Sequence, residues 1–415
     1  MMFRAAFLFL PILLLLAGCE HKTVQPGEVQ LNVMMSSDTT GDWHRLFEEF
    51  HTNNPGIRVN LIEGPTATNS REDQYVTSFL SGQTSYDLVY ADVAWIAKFA
   101  AAGWLEDLSD RWTADEWNRF IPGALAGGTY KGRIYRVPTE MHGGLLYYRK
   151  DLLDAAGLKP PETFEELVND CRQIKKPDGI LGFVWQGKQY EGLSCFFLEV
   201  LKGFGGTWID EKTGEVGLDQ PAAINALTFL KNCLNDWKIT PPGVTTYTEE
   251  EARQLFQAGH SVFMRNWPYV WPISQVPESP VYGKIGFTVM PHAPGCKPAA
   301  TLGGWGFSIV KTSSHKEEAW KFLKFATSLE QIKKFNKSMG LQPALKASYE
   351  QSDDPVVKAV YKVLLNAVPR PMIPQYAQAS DILQRYVSEA LTGRSTPEDA
   401  MRHAAYETRL LLGRK

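Results

Sequence analysis

The sequence lacks the signatures of several broad functional classes. It contains no run of basic residues, and its formal net charge of −3 at pH 7 argues against a nucleic-acid partner. None of its five cysteines belongs to a CxxC pair, so neither a redox motif nor a cysteine-based metal site is predicted. After residue 19 no apolar stretch is long enough for a membrane-spanning helix. With 44% hydrophobic and 21% charged residues, the chain has the composition of a globular protein.

Sequence signatures of common enzymes are also missing. There is no GxSxG nucleophile elbow, no phosphate-binding GK[ST] loop and no HExxH zinc helix. The sequence therefore predicts no catalytic residue, no metal ligand and no cofactor.

The first 19 residues have the pattern of an export signal. Arg4 supplies a basic start, an apolar run covers residues 5–16, and the small residues Ala17 and Gly18 precede Cys19. This run is too short to span a bilayer comfortably, although an uncleaved membrane anchor is the alternative. The string LLAGC is similar to the lipobox of bacterial lipoproteins, in which the cysteine is acylated and becomes the first mature residue.

We therefore expect residues 1–19 to be a lipoprotein signal peptide with its lipobox, and Cys19 to carry the lipid. Residues 20–28 are polar, lack periodicity and are expected to form a tether. The protein would then be exported and lipid-anchored at the outer face of the cytoplasmic membrane, in a periplasm or on the cell surface. The other cysteines are compatible either with one disulfide or with buried thiols.

Two aromatic segments indicate a binding surface. The 12 Trp, 16 Tyr and 21 Phe exceed what an ordinary core requires, and two of the tryptophans lie in FMRNWPYVW (263–271) and TLGGWGF (301–307). Pro268 fixes φ after Trp267, and glycines before Trp305 permit a close approach of the backbone. Sugars suit such surfaces, because their C–H faces stack on aromatic rings while their hydroxyls bond to polar groups. The alternative is that both tryptophans belong to the core.

The order of apolar patterns predicts an α/β fold. A strand at Val29–Met35, an amphipathic helix at Asp42–Phe50 and a strand at Ile57–Ile62 form a βαβ unit. About 395 residues remain after processing, which is more than one core usually serves, so two lobes are expected. Asp92 follows the buried strand YDLVYA, at the end of a parallel strand where ligand crevices form. It is equally suited to cap the next helix, and the two roles are compatible.

Four longer segments carry a resemblance to a known family: YDLVYADVAWIAKFAAAGWLEDL, GLLYYRKDLLDAAGLKPPETFEEL, LFQAGHSVFMRNWPY and GGWGFSIVKTSSHKEEAWKFLKF. They resemble, in the same order, the sugar-binding lipoproteins of ABC importers, the maltose-type extracellular solute-binding family 1. The segment PRPMIPQYAQASDILQRY is similar to the trehalose/maltose-binding branch. The resemblance runs from about Val29 to the C-terminus.

The resemblance implies a two-lobe periplasmic-binding-protein (flytrap) fold of type II, with hinges where the chain crosses between lobes. On this basis the N-terminal lobe comprises residues 29–138 and 301–345. The C-terminal lobe comprises residues 139–300 and 346–415.

It also implies a set of sugar-binding residues. Thr66, Arg71 and Asp92 match hydroxyl contacts from the first lobe, and Trp267 matches a stacking tryptophan. Gly304 with Trp305 matches a backbone-and-aromatic wall, and Arg370 with Tyr376 matches contacts late in the chain. One departure concerns specificity: where the branch has a tyrosine and an aspartate, this sequence has Glu140 and His142. The ligand could therefore differ from trehalose or maltose, and sucrose or glucosylglycerol are candidates.

The expected function is binding without chemistry. The protein would close its lobes on a carbohydrate and present it to the permease subunits of an ABC transporter, as a monomer attached to the membrane by its lipid. One alternative is a sugar-active hydrolase using the carboxylates Asp92 and Glu140. The other is a surface lipoprotein that binds a partner protein through its aromatic residues.

Overall fold

The computed structural model describes residues 27–38, 41–65, 67–82, 85–174, 179–210, 213–339, 342–365 and 367–414. The predicted signal peptide, Cys19, most of the tether and the predicted sugar contact Thr66 lie outside these ranges. Within them, no helix combines the length and the apolarity that crossing a bilayer requires.

Thirteen strands are found in the described ranges. They are β1 (Val29–Ser36), β2 (Ile57–Gly64), β3 (Leu88–Asp92), β4 (Thr129–Tyr130), β5 (Arg133–Ile134), β6 (Val137–Pro138), β7 (Leu145–Arg149), β8 (Leu181–Val184), β9 (Ser261–Asn266), β10 (Ile285–Thr288), β11 (Ala300–Thr301), β12 (Trp305–Ile309) and β13 (Ala367–Val368).

Seventeen α-helices accompany these strands in the same part of the chain. They are α1 (Asp42–Asn53), α2 (Thr68–Leu80), α3 (Ile96–Ala101), α4 (Ala114–Trp117), α5 (Pro122–Ala126), α6 (Lys150–Ala156), α7 (Phe164–Gln173), α8 (Glu191–Gly203), α9 (Pro221–Leu234), α10 (Glu249–Gln257), α11 (Val270–Ser274), α12 (Lys316–Ala326), α13 (Leu329–Met339), α14 (Ala347–Glu350), α15 (Pro355–Leu364), α16 (Tyr376–Leu391) and α17 (Pro397–Leu411).

Two separate sheets organise these elements. The first has the strand order β2-β1-β3-β12-β6, in which β1 pairs in parallel with β2 and β3, and β12 is antiparallel to β3 and β6. The second has the order β10-β7-β9-β8, with β7 antiparallel to both neighbours and β8 parallel to β9. Strand β12 of the first sheet follows all four strands of the second sheet in the sequence, so neither half is continuous in sequence.

Short pairings connect the segments that pass between the two sheets. The chain crosses from β6 to β7 through residues 139–144, and it returns from β11 to β12 through residues 302–304. Strand β11 pairs in parallel with β13, and His142 forms an isolated bridge with Gly303. The chain crosses a third time, from α15 to α16 through β13. Backbone hydrogen bonds therefore hold the three crossing segments side by side.

The amphipathic pattern of α1 shows why the first layer packs as it does. Trp43, Leu46, Phe47 and Phe50 recur at helical spacing and are all buried, in the same hydrophobic cluster as strands β1–β3 and helix α12. A second cluster joins α7, α8, α9, α16 and α17 to the second sheet.

Tyr349, Val360 and Leu364 belong to the first of these clusters, although the sequence reasoning placed residues 346–415 with the second lobe. We therefore propose that the N-terminal lobe continues to residue 364.

Most of the predicted elements along the chain agree with the structure; the differences include one divided hairpin and the unpredicted strands β8, β11 and β13. The segment KGRIYRVP predicts a hairpin at residues 131–138. In the structure this segment is divided, because β4 pairs with β5 whereas β6 joins β12. Strand β8 was not predicted from its four residues, because what stabilises it is parallel pairing with β9, about 80 residues later. Thr163 followed three residues later by Glu166 predicts a capping box at the start of α7. It is confirmed: Glu166 N donates to Thr163 Oγ1 at 3.1 Å, and Thr163 N donates to Glu166 Oε2 at 3.0 Å.

Candidate functional site

Asp92 ends strand β3, at the edge where the first sheet faces the crossing segments. Its Oδ1 accepts a hydrogen bond from Ala94 N at 2.8 Å, so it caps the 3-10 turn that follows. The same oxygen accepts from Arg370 Nη2, also at 2.8 Å. Since no donor from the described residues reaches Oδ2, the cap leaves one carboxylate oxygen for a ligand.

Arg370 connects the two halves of the molecule. Its side chain is buried, and Nη1 donates to Glu191 Oε1 at 2.7 Å while Nη2 donates to Asp92. Glu191 opens helix α8 of the second cluster, whereas Asp92 belongs to the first sheet. Burial opposes the charge of Arg370, but Asp92, Cys195, Tyr376 and Glu191 together outweigh this effect and raise the pKa of the guanidinium.

Glu191 also receives hydrogen bonds from helix α16. Tyr376 OH donates to Oε1, and Ser380 Oγ donates to Oε2 at 2.7 Å. Burial, and then the charge of Glu191, raises the pKa of Tyr376, so the phenol is a hydrogen-bond donor at neutral pH. With the Cys195 thiol, whose Sγ lies 3.8 Å from Oε1, the Glu191 carboxylate accepts from four side chains.

Arg71 and Trp305 form an aromatic and cationic wall beside Asp92. Trp305 is paired with Asp92 in the sheet register, and the Arg71 Cζ atom lies 4.4 Å from the centroid of its indole. Tyr90 also stacks with Trp305, at 5.6 Å between ring centroids. Arg71 is only 5% exposed, and its Nε has no hydrogen-bond partner within the described ranges. Burial lowers the pKa of Arg71. Because its Nε has no partner in those ranges, the site contains a donor group whose hydrogen bonds the protein itself leaves incomplete.

Gly304 lies between this wall and the crossing segment 139–144. Its φ is 142°, and a Cβ atom at this position would overlap the carbonyl oxygen of Glu140. Its own carbonyl accepts from Val93 N at 3.1 Å and from Arg136 Nη1 at 2.9 Å. The close approach that the glycine permits is therefore to the chain's own backbone.

Glu140 and His142 lie on the crossing segment, next to the same wall. Glu140 is buried; its Oε1 accepts from Tyr90 OH at 2.9 Å, and its Oε2 lies 3.0 Å from His142 Nε2. The half-buried His142 ring is 6.5 Å from the ring of Trp267. Because both Glu140 oxygens have partners, this carboxylate orients His142 and Tyr90.

Trp267 follows strand β9 and is held on one face and at one edge. Arg265 Cζ lies 4.0 Å from the indole centroid, and Trp267 Nε1 donates to Glu249 Oε1 at 3.2 Å. The indole is half-buried, and a Cβ atom on Gly303 would lie 3.4 Å from it. The tryptophan therefore faces the crossing segments from the second sheet.

A small cavity separates the two halves beside Arg370. Its volume is about 40 Å³, and it is lined by α2 and residues 94–95 on one side and by α8 and α16 on the other. This is room for water but not for a disaccharide, since each water takes about 30 Å³ in the liquid. Next to it, Glu72 Oε1 pairs with Lys98 Nζ at 3.1 Å, and burial raises the pKa of Glu72. The two halves are thus close together here.

Comparison with known proteins identifies the family to which this chain belongs. The model of the bacterial extracellular solute-binding protein family matches residues 36–333. The chain belongs to this solute-binding family.

Its relatives include maltose-bound MalE3 of T. maritima, with 42% identity and a TM-score of 0.84 over 92% of this chain and all of that one. A protein of Deinococcus radiodurans named "Probable ABC transporter-binding protein" is 35% identical over 84% of this chain and 85% of its own length. A maltotriose-binding protein of Pyrococcus abyssi is 27% identical over 89% of this chain and 76% of its own.

These relationships confirm the predicted two-lobe solute-binding fold. They also show that the protein is an exported, sugar-binding component of an ABC transport system, a substrate-binding protein and not an enzyme.

Nine of the ten predicted sugar-binding residues lie within the described ranges, and contacts link them into one cluster in the solute-binding fold. They are Arg71, Asp92, Glu140, His142, Trp267, Gly304, Trp305, Arg370 and Tyr376.

Sequence reasoning missed the polar residues that hold this set in place, namely Glu191, Tyr90, Glu249 and Arg136. Glu191 follows a strand, as Asp92 does, but that strand is β8, which was itself not predicted.

Proposed function

We propose that this protein captures a di- or oligosaccharide or a small glucoside, of the trehalose, maltose, sucrose or glucosylglycerol type, and delivers it to a membrane permease. The observation that carries the proposal is the buried, incompletely bonded Arg71 guanidinium against the indole of Trp305. A ligand that offers both an apolar face and acceptor oxygens satisfies this pair, and a pyranose has both. The likeness to a maltose-bound relative supports the same ligand class.

The contacts suggest how each group acts on such a ligand. Trp267 and Trp305 offer aromatic surfaces for the C–H faces of the sugar, and both are half-buried. Arg71 donates to hydroxyl oxygens, and Asp92 accepts a hydroxyl proton through Oδ2, which gives charge-assisted hydrogen bonds of fixed direction. No bond of the sugar is broken.

Lobe closure is the conformational step of the proposal. Arg370 bonds to Asp92 in one half and to Glu191 in the other, so these pairs form only when the halves approach. A sugar that contacts both halves favours the closed form by its differential affinity, and this form is what a permease would recognise.

Glu140 and His142 are the proposed determinants of sugar identity. Glu140 fixes the orientation of His142, which lies between it and Trp267. A change of this pair relative to the trehalose/maltose branch therefore changes the edge of the site nearest the stacking tryptophan, and a sugar other than trehalose or maltose can be accommodated.

We also propose that the protein acts as a monomer and is anchored through acylated Cys19, with residues 1–19 as its signal peptide. Labelled palmitate should be incorporated into the wild-type chain and not into Cys19→Ser. Equal incorporation in both would exclude this anchor.

The proposal is tested by a thermal-shift panel on the chain without residues 1–19, using trehalose, maltose, sucrose, glucosylglycerol and glucose. A sugar at about 100 times its Kd should stabilise the protein by about 2.7 kcal/mol. Trp267→Ala should reduce the shift of the best ligand to about half or less, because a tenfold loss of affinity leaves about 1.4 kcal/mol at the same concentration. Trp237→Phe, whose indole packs against Phe229, should leave the shift unchanged.

One other outcome would favour an alternative. No shift with any sugar would support a protein partner. Against this alternative, neither Trp267 nor Trp305 is among the exposed large hydrophobic side chains of the described residues.

A further inference from the structure

A buried ion pair lies directly behind the stacking tryptophan. Arg265 of β9 and Glu199 of α8 are both 0% exposed. Arg265 Nε donates to Glu199 Oε2 at 2.8 Å, and Nη2 donates to Glu199 Oε1 at 2.5 Å. The third nitrogen, Nη1, donates to Gln186 Oε1 at 3.1 Å. All three guanidinium nitrogens therefore have partners, in contrast to Arg71.

One side of this pair supports Trp267. The Arg265 Cζ atom is 4.0 Å from the indole centroid, so a cation with a fixed orientation lies under one face of the ring. Since the bidentate bond to Glu199 fixes the guanidinium plane, it also fixes the tilt of the indole that rests on it.

The other side of the pair holds a crossing segment. Glu199 Oε1 accepts from Thr301 N at 3.0 Å, and Thr301 Oγ1 donates to Cys195 O at 2.7 Å on the same helix. Thr301 belongs to β11, which pairs with β13, two residues before Arg370. Helix α8 also begins with Glu191, the second-lobe partner of Arg370.

Fold stability alone does not require charges at this position. A fully buried ion pair carries a large desolvation cost, and apolar residues of similar volume often serve stability equally well. The fold also makes room for the pair: a Cβ atom on Gly144 would overlap Glu199 Oε1 and would lie 2.6 Å from Arg265 Nη2. A charged pair retained in this place calls for a role beyond packing.

We propose that Arg265 and Glu199 are positioning residues that couple the sugar-stacking face of Trp267 to the crossing strand β11. A sugar stacked on Trp267 restricts the motion of the Arg265 side chain. Because Arg265 is bonded to Glu199, and Glu199 to the amide of Thr301, the motion of the backbone is also restricted where the chain crosses between lobes. The inference rests on the proposed function, because it assumes that Trp267 stacks on a sugar.

The first test compares affinities for maltose and trehalose by calorimetry. Glu199→Gln should weaken binding by at least tenfold. Asp151→Asn is the matched control, since Asp151 makes a bidentate pair with Arg149 in the same half of the molecule but away from Trp267; its affinity should stay within twofold of wild type. The double variant Arg265→Met/Glu199→Met removes both charges and should fold, yet still bind weakly. Wild-type affinity in a folded double variant would overturn the proposal.

The second test asks whether the pair acts through Trp267. In the variant Trp267→Ala/Glu199→Gln the affinity should be no lower than in Trp267→Ala alone, because neighbours that act as one unit are not additive. Fully additive losses would contradict the coupling.

The third test needs no sugar and separates this inference from the proposed function. In the sugar-free protein, Trp267→Ala should speed hydrogen exchange of the Thr301 amide by at least threefold and leave the Val33 amide of β1 unchanged. If the wild type binds neither sugar, the proposed function fails while this readout still tests the coupling. An unchanged Thr301 amide would refute the coupling whatever the sugar results.

Discussion

Single residues at this site differ in whether their charge already has a partner. Arg370 is buried between two carboxylates, whereas Arg71, equally buried, forms no ion pair with a described residue. The Nε atom of each has no hydrogen-bond partner in the described part of the chain, and such a buried donor costs about 1–3 kcal/mol, more when it is charged. We therefore propose that the ion pairs of Arg370 hold the halves together and that Arg71, which lacks one, binds the ligand.

Replacing Arg71 tests that distinction. Arg71→Met should lower sugar affinity by roughly tenfold or more, because a hydrogen bond to a charged group is worth about 1.5–3 kcal/mol. It should cost little stability, since the unsatisfied nitrogen is removed as well. Titration calorimetry and thermal unfolding measure the two effects.

Arg119→Met provides the matched control for this change. Arg119 also lies over an indole, 4.1 Å from Trp112, and also has nitrogens without a partner among the described residues, but it is away from the site. Sugar affinity should be unchanged in this variant; an equal loss in both would mean that Arg71 acts only through packing.

Asp170 predicts a pH dependence of stability. It is buried on α7, and burial, followed by the charge of Glu166, raises its pKa to about 6 from an unfolded value near 3.8. The folded state therefore binds a proton more tightly, so this group favours folding below about pH 4, and that contribution is lost as pH rises through about 6.

Asp170→Asn should remove this dependence. At pH 8 the variant should be more stable than wild type by about 1–3 kcal/mol, and at pH 4 the two should be alike. Thermal unfolding at both pH values measures this difference in stability, and Asp110→Asn, at an exposed aspartate, is the control. A variant that is less stable than wild type at pH 8 would show that the ionised carboxylate has a stabilising partner.

Among the secondary-structure elements, β12 does most to assemble the site. It pairs with β3 so that Trp305 lies opposite Asp92, and the residues just before it contact the crossing segment 139–144. Gly304 is the residue that makes this junction possible, because its left-handed φ and the nearby Glu140 carbonyl both exclude a side chain.

Gly304→Ala should therefore destabilise the protein by more than about 2 kcal/mol, since conformational strain and overlap add. Gly295→Ala is the control for strain alone: its φ is 79°, but a Cβ atom there would meet nothing within 4 Å. The control should cost only about 1–2 kcal/mol. Similar melting temperatures for the two variants would show that the backbone around residues 140 and 304 rearranges at little cost in stability.

The same elements show what the sequence could and could not predict. The buried face of α1 and the capping box at Thr163 depend on neighbours within one or two turns, and both were predicted. Strands β8, β11 and β13 were not, because their partners lie roughly 65 to 80 residues away. Glu191 was missed together with β8, and the pairing of Arg265 with Glu199 was missed because it spans 66 residues.

At the scale of the whole molecule, two α/β halves meet at the cluster of predicted binding residues. The three crossing segments lie side by side, and Arg370 closes the gap between Asp92 and Glu191. The family relationship gives the general function, sugar binding for an ABC importer. We propose that the particular sugar depends on a few side chains at the edge of the site, above all Glu140, His142 and Trp267.

The central claim is that one sugar binds between the halves against Trp267. Calorimetric titration of trehalose, maltose, sucrose and glucosylglycerol into the wild-type chain and into Trp267→Ala tests it most directly. The account predicts that at least one of them binds with one molecule per chain, and that the variant loses at least tenfold in affinity, because stacking on an aromatic ring is removed. Heat from none of the four, or equal affinity in the two proteins, would contradict it.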